Sequence, residues 1–166
     1  MRTPTAISLF SGCGGMDLGF VQAGFDVLWA NDINGFACKT YAHNIGDHII
    51  HGDITEIDYQ SIPTADIIIG GFPCQDFSML WKRGGVSTDR GNLYKNFVDL
   101  VAQKNPKVFV AENVKGILTA NKKQAIKQII EDFSDTGEIG YNTKAILVNF
   151  ANYGVSQLRE RVLIIG

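Results

Sequence analysis

The sequence lacks the features that mark secreted, membrane-spanning and strongly basic nucleic-acid-binding chains. Its three cysteines, Cys13, Cys38 and Cys74, are widely spaced and odd in number, so they form neither a disulfide framework nor a Cys-x-x-Cys pair. No apolar run approaches the ~18 residues of a transmembrane helix, and no signal peptide is visible. The formal net charge is −2, so there is no basic surplus for phosphate contacts. We therefore expect a cytoplasmic protein in a reducing compartment.

The chain also lacks repeats, low-complexity segments and any Pro/Gly/Ser linker that would divide it. It has 166 residues, of which 45% are apolar and 19% charged, a composition typical of globular proteins. A chain of this length buries roughly 70% of its unfolded surface on folding. We therefore expect one domain over residues 1–166. Glycine is abundant, with 18 residues, which indicates many tight loops.

Short apolar runs alternate with longer amphipathic ones along the chain. The predicted strands are 5–10, 26–32, 48–54, 65–71, 106–113, 141–150 and 161–166. The predicted helices are "GGMDLGFVQAGF" with Gly24 as its stop, 34–44 with Asn34 as its cap, 91–105 and "QAIKQIIEDF". This alternation predicts an α/β fold with a mainly parallel seven-stranded sheet and helices on both faces. The last strand is predicted to be antiparallel, because the ten residues "ANYGVSQLRE" are too few for a parallel crossover.

Acidic residues and glycines follow the first three predicted strands, where ligands bind in such sheets. The loop "LFSGCGGMDLG" opens a helix, but Asp17 occupies the third glycine position of a dinucleotide fingerprint and would repel a diphosphate. Asp32 ends the second strand, placed to accept from ribose hydroxyls, and Asp53 follows the third, placed to accept from an adenine amino group. Each alone is explained as a turn or cap residue. Together they indicate a nucleoside cofactor without a diphosphate, such as S-adenosylmethionine.

A nucleophile, an acid and two cations are predicted at the same edge of the sheet. Cys74 follows Pro73 directly at the end of the fourth strand, and a thiolate is the strongest ordinary protein nucleophile near neutral pH. Glu112 lies at the end of the fifth strand, while Arg159 and Arg161 precede or open the last one. These residue types around a nucleoside site indicate covalent catalysis.

The motifs resemble those of the cytosine-5 DNA methyltransferases, in the order in which that family carries them. "FSGCGG" is similar to the first motif, "GGFPCQDFS" to the Pro-Cys motif and "RGNLY" to the helix start that follows it. "ENV" is similar to the Glu motif and "QLRER" to the Gln-x-Arg-x-Arg motif. The resemblance extends from about Thr5 to Gly166. It implies a Rossmann-like, S-adenosylmethionine-dependent methyltransferase fold.

The resemblance also implies roles for individual residues. Cys74 would attack carbon 6 of cytosine, Glu112 would bond ring nitrogen 3, and carbon 5 would take the methyl group from the cofactor. Arg161 and Arg159 would hold the cytosine O2 and the adjacent phosphate. The target base would have to be flipped out of the duplex. The residues that match cofactor positions are Phe10, Gly12, Gly14, Gly15, Asp32, Ile33, Asp53, Ile54, Pro73 and Leu93. The family's commoner residue at position 32 is Glu, so Asp32 is one methylene shorter.

The family continues beyond the Gln-x-Arg-x-Arg motif with a target-recognition region and a C-terminal segment that completes the cofactor pocket. The resemblance therefore implies a second chain or a C-terminal part that reads double-stranded DNA in a restriction–modification system, at a prokaryotic nucleoid rather than in a nucleus. The segment 80–91 matches a mobile loop that closes on DNA. Phosphate contacts would come from only a few residues, namely Arg159, Arg161, Lys82, Arg83 and Arg90. The 166 residues alone are therefore predicted to be inactive and to bind DNA weakly.

Other residues have ordinary structural interpretations. His43, His48 and His51 lack the spacing of metal ligands and are predicted to be turn residues, so no metal is expected. Cys13 and Cys38 are predicted to fill space. The pair Lys122–Lys123 is predicted to be a solvated helix start.

Three other functions compete with DNA methylation. A tRNA cytosine-5 methyltransferase of the same fold usually carries a Cys-Phe-Thr tripeptide near its active site, and this sequence has none. A non-catalytic partner subunit would not need all five motifs intact. A nicotinamide-dependent dehydrogenase is disfavoured by Asp17 and by the Pro-Cys site.

Overall fold

The computed structural model describes residues 2–73 and 93–166. The strands are β1 Thr5–Leu9, β2 Asp26–Asp32, β3 Ile49–His51, β4 Ile67–Gly70, β5 Val108–Val114, β6 Lys144–Asn149 and β7 Glu160–Ile165. The α-helices are α1 Gly15–Gln22, α2 Gly35–Asn44, α3 Leu93–Lys104 and α4 Gln124–Ser134. Short 3₁₀ turns lie at Ile54–Glu56, Tyr59–Ser61, Lys115–Leu118, Ala120–Lys123 and Phe150–Tyr153. Each predicted strand and helix is therefore confirmed within the described ranges, although most are shorter than predicted.

The seven strands form one sheet in the order β3-β2-β1-β4-β5-β7-β6. The pairs among β1 to β5 are parallel, and β7 is antiparallel to both of its neighbours, β5 and β6. The predicted antiparallel last strand is thus confirmed. The connection from β6 to β7 contains only a 3₁₀ turn, so the chain reverses locally instead of crossing over the sheet.

The larger part of the core lies between the sheet and helices α3 and α4. Phe97, Phe109 and Phe133 meet at its centre; the Phe109 and Phe133 rings stack with centroids 4.0 Å apart. Ile126, Ile129 and Phe133 follow the helical period along α4, and all three are buried against the sheet. Aromatic pairs contribute about 0.5–1.5 kcal/mol each beyond the area they bury. This packing holds β4 and β5 against helices α3 and α4.

Helices α1 and α2 lie on the opposite face of the sheet. Met16 and Phe20 of α1 pack on a smaller cluster of buried residues, Ala6, Val27, Ile67 and Ile69. The described residues leave the rest of this face, on β5, β7 and β6, partly uncovered. Val108, Val114 and Ile146 are there 38%, 40% and 46% exposed. The helices therefore lie on both faces, as predicted, but the described part of the chain leaves apolar side chains of β5 and β6 exposed on the second face.

Within the described ranges, no helix combines the length and the apolar character that crossing a bilayer requires.

Asp66 ties three strands together at the amino end of the sheet, opposite to the predicted site. Its carboxylate accepts hydrogen bonds from the Thr5 backbone N–H and hydroxyl, both at 3.0 Å, and from Lys107 Nζ at 3.0 Å. It also forms a salt bridge with Arg2 at 2.6 Å. The Thr5 backbone hydrogen bond, with the Lys107 and Thr5 side chains, holds the pKa of Asp66 well below its usual range.

Asp66→Asn is expected to lower the midpoint of thermal unfolding by roughly 2–4 °C at pH 7. Because the folded pKa lies below the unfolded one, the stabilisation is complete above about pH 5 and is lost as the pH falls through the folded value. The difference from the wild type should therefore shrink in acid. The exposed Asp26, at the start of β2, provides the control Asp26→Asn. Calorimetry between pH 7 and pH 2 checks the prediction, and an equal deficit across this range would contradict it.

Candidate functional site

The predicted site residues of the described ranges come together at one edge of the sheet. The carboxyl ends of the parallel strands β1 to β5 lie at this edge, and antiparallel β7 begins there. The residues in question are those of the loop after β1, those following β2, β3 and β4, Glu112 near the end of β5, and the two arginines at the start of β7.

The loop after β1 turns the chain sharply from the strand into α1. Phe10, Gly12 and Gly14 have φ angles of +55°, +56° and +86°, all in the left-handed region. A Cβ at Gly14 would lie 2.7 Å from Tyr41 Cδ2, so this position needs glycine for space as well as conformation. Phe10 carries a strain of about 1–3 kcal/mol, and strain of this kind is typical of functional sites. Among the described residues, no atom lies within 4 Å of a Cβ placed at Gly12 or Gly15, so they leave this side of the loop open.

Asp32 connects this loop to the start of α2. Its Oδ2 accepts a hydrogen bond from the Gly12 backbone N–H at 2.8 Å, and its Oδ1 accepts from the Asn34 N–H at 2.8 Å. The cap of α2 is Asn34, as predicted, since its Oδ1 accepts from the N–H groups of Phe36 and Ala37. Each carboxylate oxygen can accept a second hydrogen bond. Asp32 is thus fixed by two backbone groups and retains acceptor capacity for hydroxyl groups.

The residues after β2 and β3 differ in what they offer to a ligand. Ile33 is 66% exposed and presents an apolar surface beside Asp32. Asp53 caps the turn at Ile54–Glu56, because its Oδ1 accepts from the Thr55 N–H at 3.0 Å and from the Thr55 hydroxyl at 2.8 Å. The Ile54 side chain is buried in the core, so a ligand at this edge could contact Ile54 only through its backbone.

The side chains of Glu112 and Arg161 lie on one face of the sheet, where they form a half-buried ion pair. Arg161 Nε lies 2.9 Å from Glu112 Oε1, and their side chains are only 20% and 22% exposed. Arg161 also donates from its terminal nitrogen to the Glu160 carbonyl at 2.8 Å. A Cβ at Gly71 would lie 3.3 Å from Glu112 Oε2, so glycine lets the loop after β4 pass close to this carboxylate. Oε1 is therefore held by a cation, while Oε2 faces the segment that leads to Pro73.

Asn113 fixes the segment that leads to Pro73. Its side chain is buried; its Nδ2 donates to the Phe72 carbonyl at 2.9 Å, and its Oδ1 accepts from the Val114 N–H. The Phe72 ring packs on Tyr94 and Phe97, with centroids 5.8 and 6.0 Å apart. The chain is therefore held by hydrogen bonding and packing as far as the residue before Pro73. The sequence places Asn113 at this edge, but this structural role becomes evident only in the fold.

Leu93 and Arg159 lie at or directly before the starts of two elements, α3 and β7. Leu93 begins α3 and packs against the main core. The backbone of Arg159 closes the β6–β7 connection, because its N–H donates to Asn149 Oδ1 and its carbonyl accepts from the Phe150 N–H. Among the described residues, the Arg159 guanidinium has no salt-bridge partner, so it is available to an anion.

Several predictions fall on residues 74–92, which lie outside the described residues. They concern the nucleophile Cys74, the loop 80–91 and the phosphate contacts of Lys82, Arg83 and Arg90. All of them stay predictions.

The structure corrects some of the structural interpretations. Cys13 is exposed, so the prediction that it fills space is wrong, whereas Cys38 is buried as predicted, and its burial raises the pKa of its thiol. His43 lies in α2 and His51 in β3, so only His48 is in a turn. Within the described ranges, no cluster of His, Cys, Asp or Glu is arranged to hold a metal ion.

Lys122 and Lys123 are exposed, but they precede α4 instead of starting it. Their φ angles, 53° and 71°, continue a left-handed turn that begins at Asn121. Helix α4 starts only at Gln124.

Asp17 has a different role from the one predicted for it. It is completely buried, and its carboxylate accepts hydrogen bonds from the Ser8 hydroxyl at 3.0 Å and the Tyr41 hydroxyl at 2.9 Å. Its charge therefore does not face the open side of the loop. A single acid within an otherwise uncharged helix, "GMDLGFVQ", is the sequence signal that could have indicated this burial.

Comparison with known proteins gives consistent results. The family model for C-5 cytosine-specific DNA methylase matches residues 5–166. The chain is 59% identical over 165 residues to the Type II methyltransferase M.NgoFVII of Neisseria gonorrhoeae, covering 98% of this chain and 43% of that protein. It is 39% identical over 208 residues to the DNA (cytosine-5-)-methyltransferase M.ApeKI of Aeropyrum pernix, covering 100% of this chain and 44% of that protein.

A solved structure shows the same fold. It is that of an E. coli prophage protein described as a DNA modification methyltransferase, with a TM-score of 0.79 and 31% identity. The match covers 99% of this chain and 46% of that one. The chain thus spans less than half the length of each of these three proteins.

Proposed function

Because the chain belongs to the C-5 cytosine-specific DNA methylase family, we propose that it transfers a methyl group from S-adenosylmethionine to carbon 5 of cytosine in double-stranded DNA. The observation that carries the proposal is the half-buried Glu112–Arg161 pair. It lies at the edge that also holds Asp32 and the glycine loop, with Oε2 near Gly71. An oriented acid next to the segment that leads to a cysteine is what attack on a pyrimidine ring requires.

The residues of the described ranges fit an adenosyl cofactor. Asp32 is fixed by two backbone N–H groups and can still accept hydrogen bonds from ribose hydroxyls. The exposed Ile33 offers an apolar surface to an adenine ring, and the loop at Gly12 and Gly15 leaves room for a ligand. When bound, S-adenosylmethionine supplies the methyl group on a sulfonium.

The proposed reaction assigns a task to each residue at the edge. The Cys74 thiolate forms a bond to carbon 6 of a cytosine that has left the base stack. Glu112 in its protonated form would donate a hydrogen bond to ring nitrogen 3 and so compensate the negative charge that the ring gains from the thiolate, and carbon 5 becomes nucleophilic. After methylation, a base from the solvent takes the proton from carbon 5, and the electron pair left behind forms the 5,6 double bond as the Cys74 thiolate leaves. Arg161 keeps Glu112 oriented, and Arg159 is free to bind O2 or a phosphate.

We further propose that polypeptide outside residues 1–166, in the same chain or in a second one, reads the target sequence and completes the cofactor pocket. The relatives are more than twice as long as the matched part. The exposed apolar side chains of Val108, Val114 and Ile146 also offer a surface that such polypeptide would cover. The Type II relatives favour a role in restriction–modification. Its DNA substrate would then place the protein in the cytoplasm, at the nucleoid.

A methyl-transfer assay with radiolabelled S-adenosylmethionine tests this function. We expect the 166 residues alone to be inactive and to bind duplex DNA weakly, because few phosphate contacts are available. The completed enzyme should methylate duplex DNA and leave tRNA unmodified. Methylation of tRNA instead would favour the competing tRNA enzyme. Sequence-specific methylation by the isolated residues would contradict the proposed outside reader.

A further inference from the structure

Asp17 is the one completely buried acidic or basic side chain within the described ranges. Burying a carboxylate costs several kcal/mol unless hydrogen bonds compensate for its hydration. Asp17 has two such bonds, to the hydroxyls of Ser8 and Tyr41, and its burial raises the pKa of its carboxyl group. Helix α1 otherwise packs on apolar residues of the sheet, where packing alone does not call for a carboxylate. This carboxylate therefore has a task beyond packing.

Both ends of the glycine loop are connected to this carboxylate. At the first end, the Ser11 hydroxyl donates to the Ser8 hydroxyl at 2.9 Å, and Ser8 in turn donates to Asp17. At the second end, Gly14 lies directly on the Tyr41 ring, and the Tyr41 hydroxyl donates to Asp17. The buried carboxylate thus accepts hydrogen bonds from Ser8 and Tyr41, the two residues that contact the ends of the loop.

His48 fixes the orientation of the Tyr41 hydroxyl. Its Nε2 lies 2.9 Å from the Tyr41 oxygen. The single hydroxyl proton of Tyr41 is donated to Asp17, so the Tyr41 oxygen accepts from His48. The hydrogen-bond network therefore assigns a proton to His48 Nε2, which is the donor. A Cβ at Gly46 would lie 2.8 Å from His48 Nδ1, so glycine lets the backbone pass close to the imidazole ring. Burial also raises the pKa of Tyr41, which keeps its hydroxyl protonated.

We propose that Asp17 and Tyr41 are positioning residues that hold the glycine loop in the shape that binds the cofactor. This inference rests on the proposed function, since it assumes that S-adenosylmethionine binds at the loop. In the proposed reaction neither residue takes part in a step at the cytosine ring. Its loss should therefore weaken cofactor binding and leave the turnover rate at saturating cofactor nearly unchanged.

Tyr41→Phe in the complete enzyme is the direct test, because it keeps the ring beneath Gly14 and removes only the hydroxyl. We expect the dissociation constant and the KM for S-adenosylmethionine to rise about tenfold, with kcat within about twofold of the wild type. The matched control is Tyr59→Phe, because the Tyr59 hydroxyl accepts from Asn96 Nδ2 at 2.8 Å on α3 instead of supporting the loop. It should lose similar stability without any change in cofactor affinity.

Ser11→Ala provides a second variant if Tyr41→Phe folds poorly, because Ser11 is only half-buried, and it should weaken cofactor binding severalfold. Calorimetric titration with S-adenosylmethionine gives the readout. Wild-type affinity in Tyr41→Phe, or in a Ser11→Ala variant tested in its place, would overturn the positioning role and leave the proposed function intact. Equal weakening of cofactor binding in Tyr59→Phe would show that the effect comes from lost stability alone, and this result would also overturn the positioning role. Failure of the wild-type enzyme to bind S-adenosylmethionine would overturn both.

Discussion

Cys74→Ser is expected to lower the rate of methyl transfer by the complete enzyme by roughly 10³-fold or more. A serine hydroxyl is a far poorer nucleophile than a thiolate near neutral pH, so attack on carbon 6 fails. In the sequence, Cys74 comes two residues after Phe72, which the Asn113 side chain and ring packing hold in place. Binding of S-adenosylmethionine should stay close to that of the wild type, because the cofactor residues of the glycine loop and Asp32 are unchanged.

The control for Cys74→Ser is the same substitution at Cys13. The Cys13 side chain is exposed, so Cys13→Ser should retain most of the activity. Steady-state rates on duplex DNA and calorimetric titration of the cofactor provide the measurements. Turnover of Cys74→Ser near the wild-type rate would exclude Cys74 as the nucleophile. A matching loss in Cys13→Ser would show that the assay reports a general effect on the protein.

Glu112→Gln is expected to lower kcat by about 10²–10³-fold, with a small change in cofactor affinity. The amide keeps the shape of the side chain and can still donate a hydrogen bond, but it cannot transfer a proton to ring nitrogen 3 as a carboxylic acid can. It also leaves Arg161 without its 2.9 Å ion-pair partner in a half-buried position. The effect should therefore appear in the chemical step, measured in single turnovers with saturating DNA and cofactor.

Glu160→Gln is the matched control for Glu112→Gln. Glu160 begins β7 at the same edge and pairs with Lys115 Nζ at 2.8 Å, but this salt bridge is exposed. Exposed pairs contribute about 0–1 kcal/mol, so this variant should keep its stability and its rate. Equal losses in the two variants would contradict a specific role for Glu112, and so would an unchanged single-turnover rate in Glu112→Gln.

The architecture could be predicted from the sequence because its signals are local. Each strand is a short apolar run, and the antiparallel direction of β7 follows from a connection too short for a crossover. The Asn34 cap follows from a side chain that hydrogen-bonds its own helix. The exposed part of the sheet face on β5, β7 and β6 could not be predicted, because apolar periodicity does not show whether a partner covers a strand.

The position of a candidate site residue was predictable where that residue lies at the end of its own strand. Asp32 and Glu112 lie at the expected edge because strand order alone brings them there. The buried Asp17–Tyr41–His48 chain was not predictable, because it joins α1, α2 and the start of β3 through side chains distant in sequence. The inward side chain of Ile54 likewise depends on how the turn after β3 packs on the core.

The most direct test of the proposed chemistry is to trap the covalent intermediate. The complete enzyme is incubated with S-adenosylmethionine and a duplex that carries 5-fluorocytosine at the target position. Fluorine replaces the proton that carbon 5 must lose, so the thiolate cannot leave and the adduct accumulates. Intact-mass analysis and peptide mapping should find one methylated DNA adduct per enzyme, attached at Cys74. Methylation of the unmodified duplex without any adduct on the fluorinated one, or an adduct at a different residue, would contradict the account.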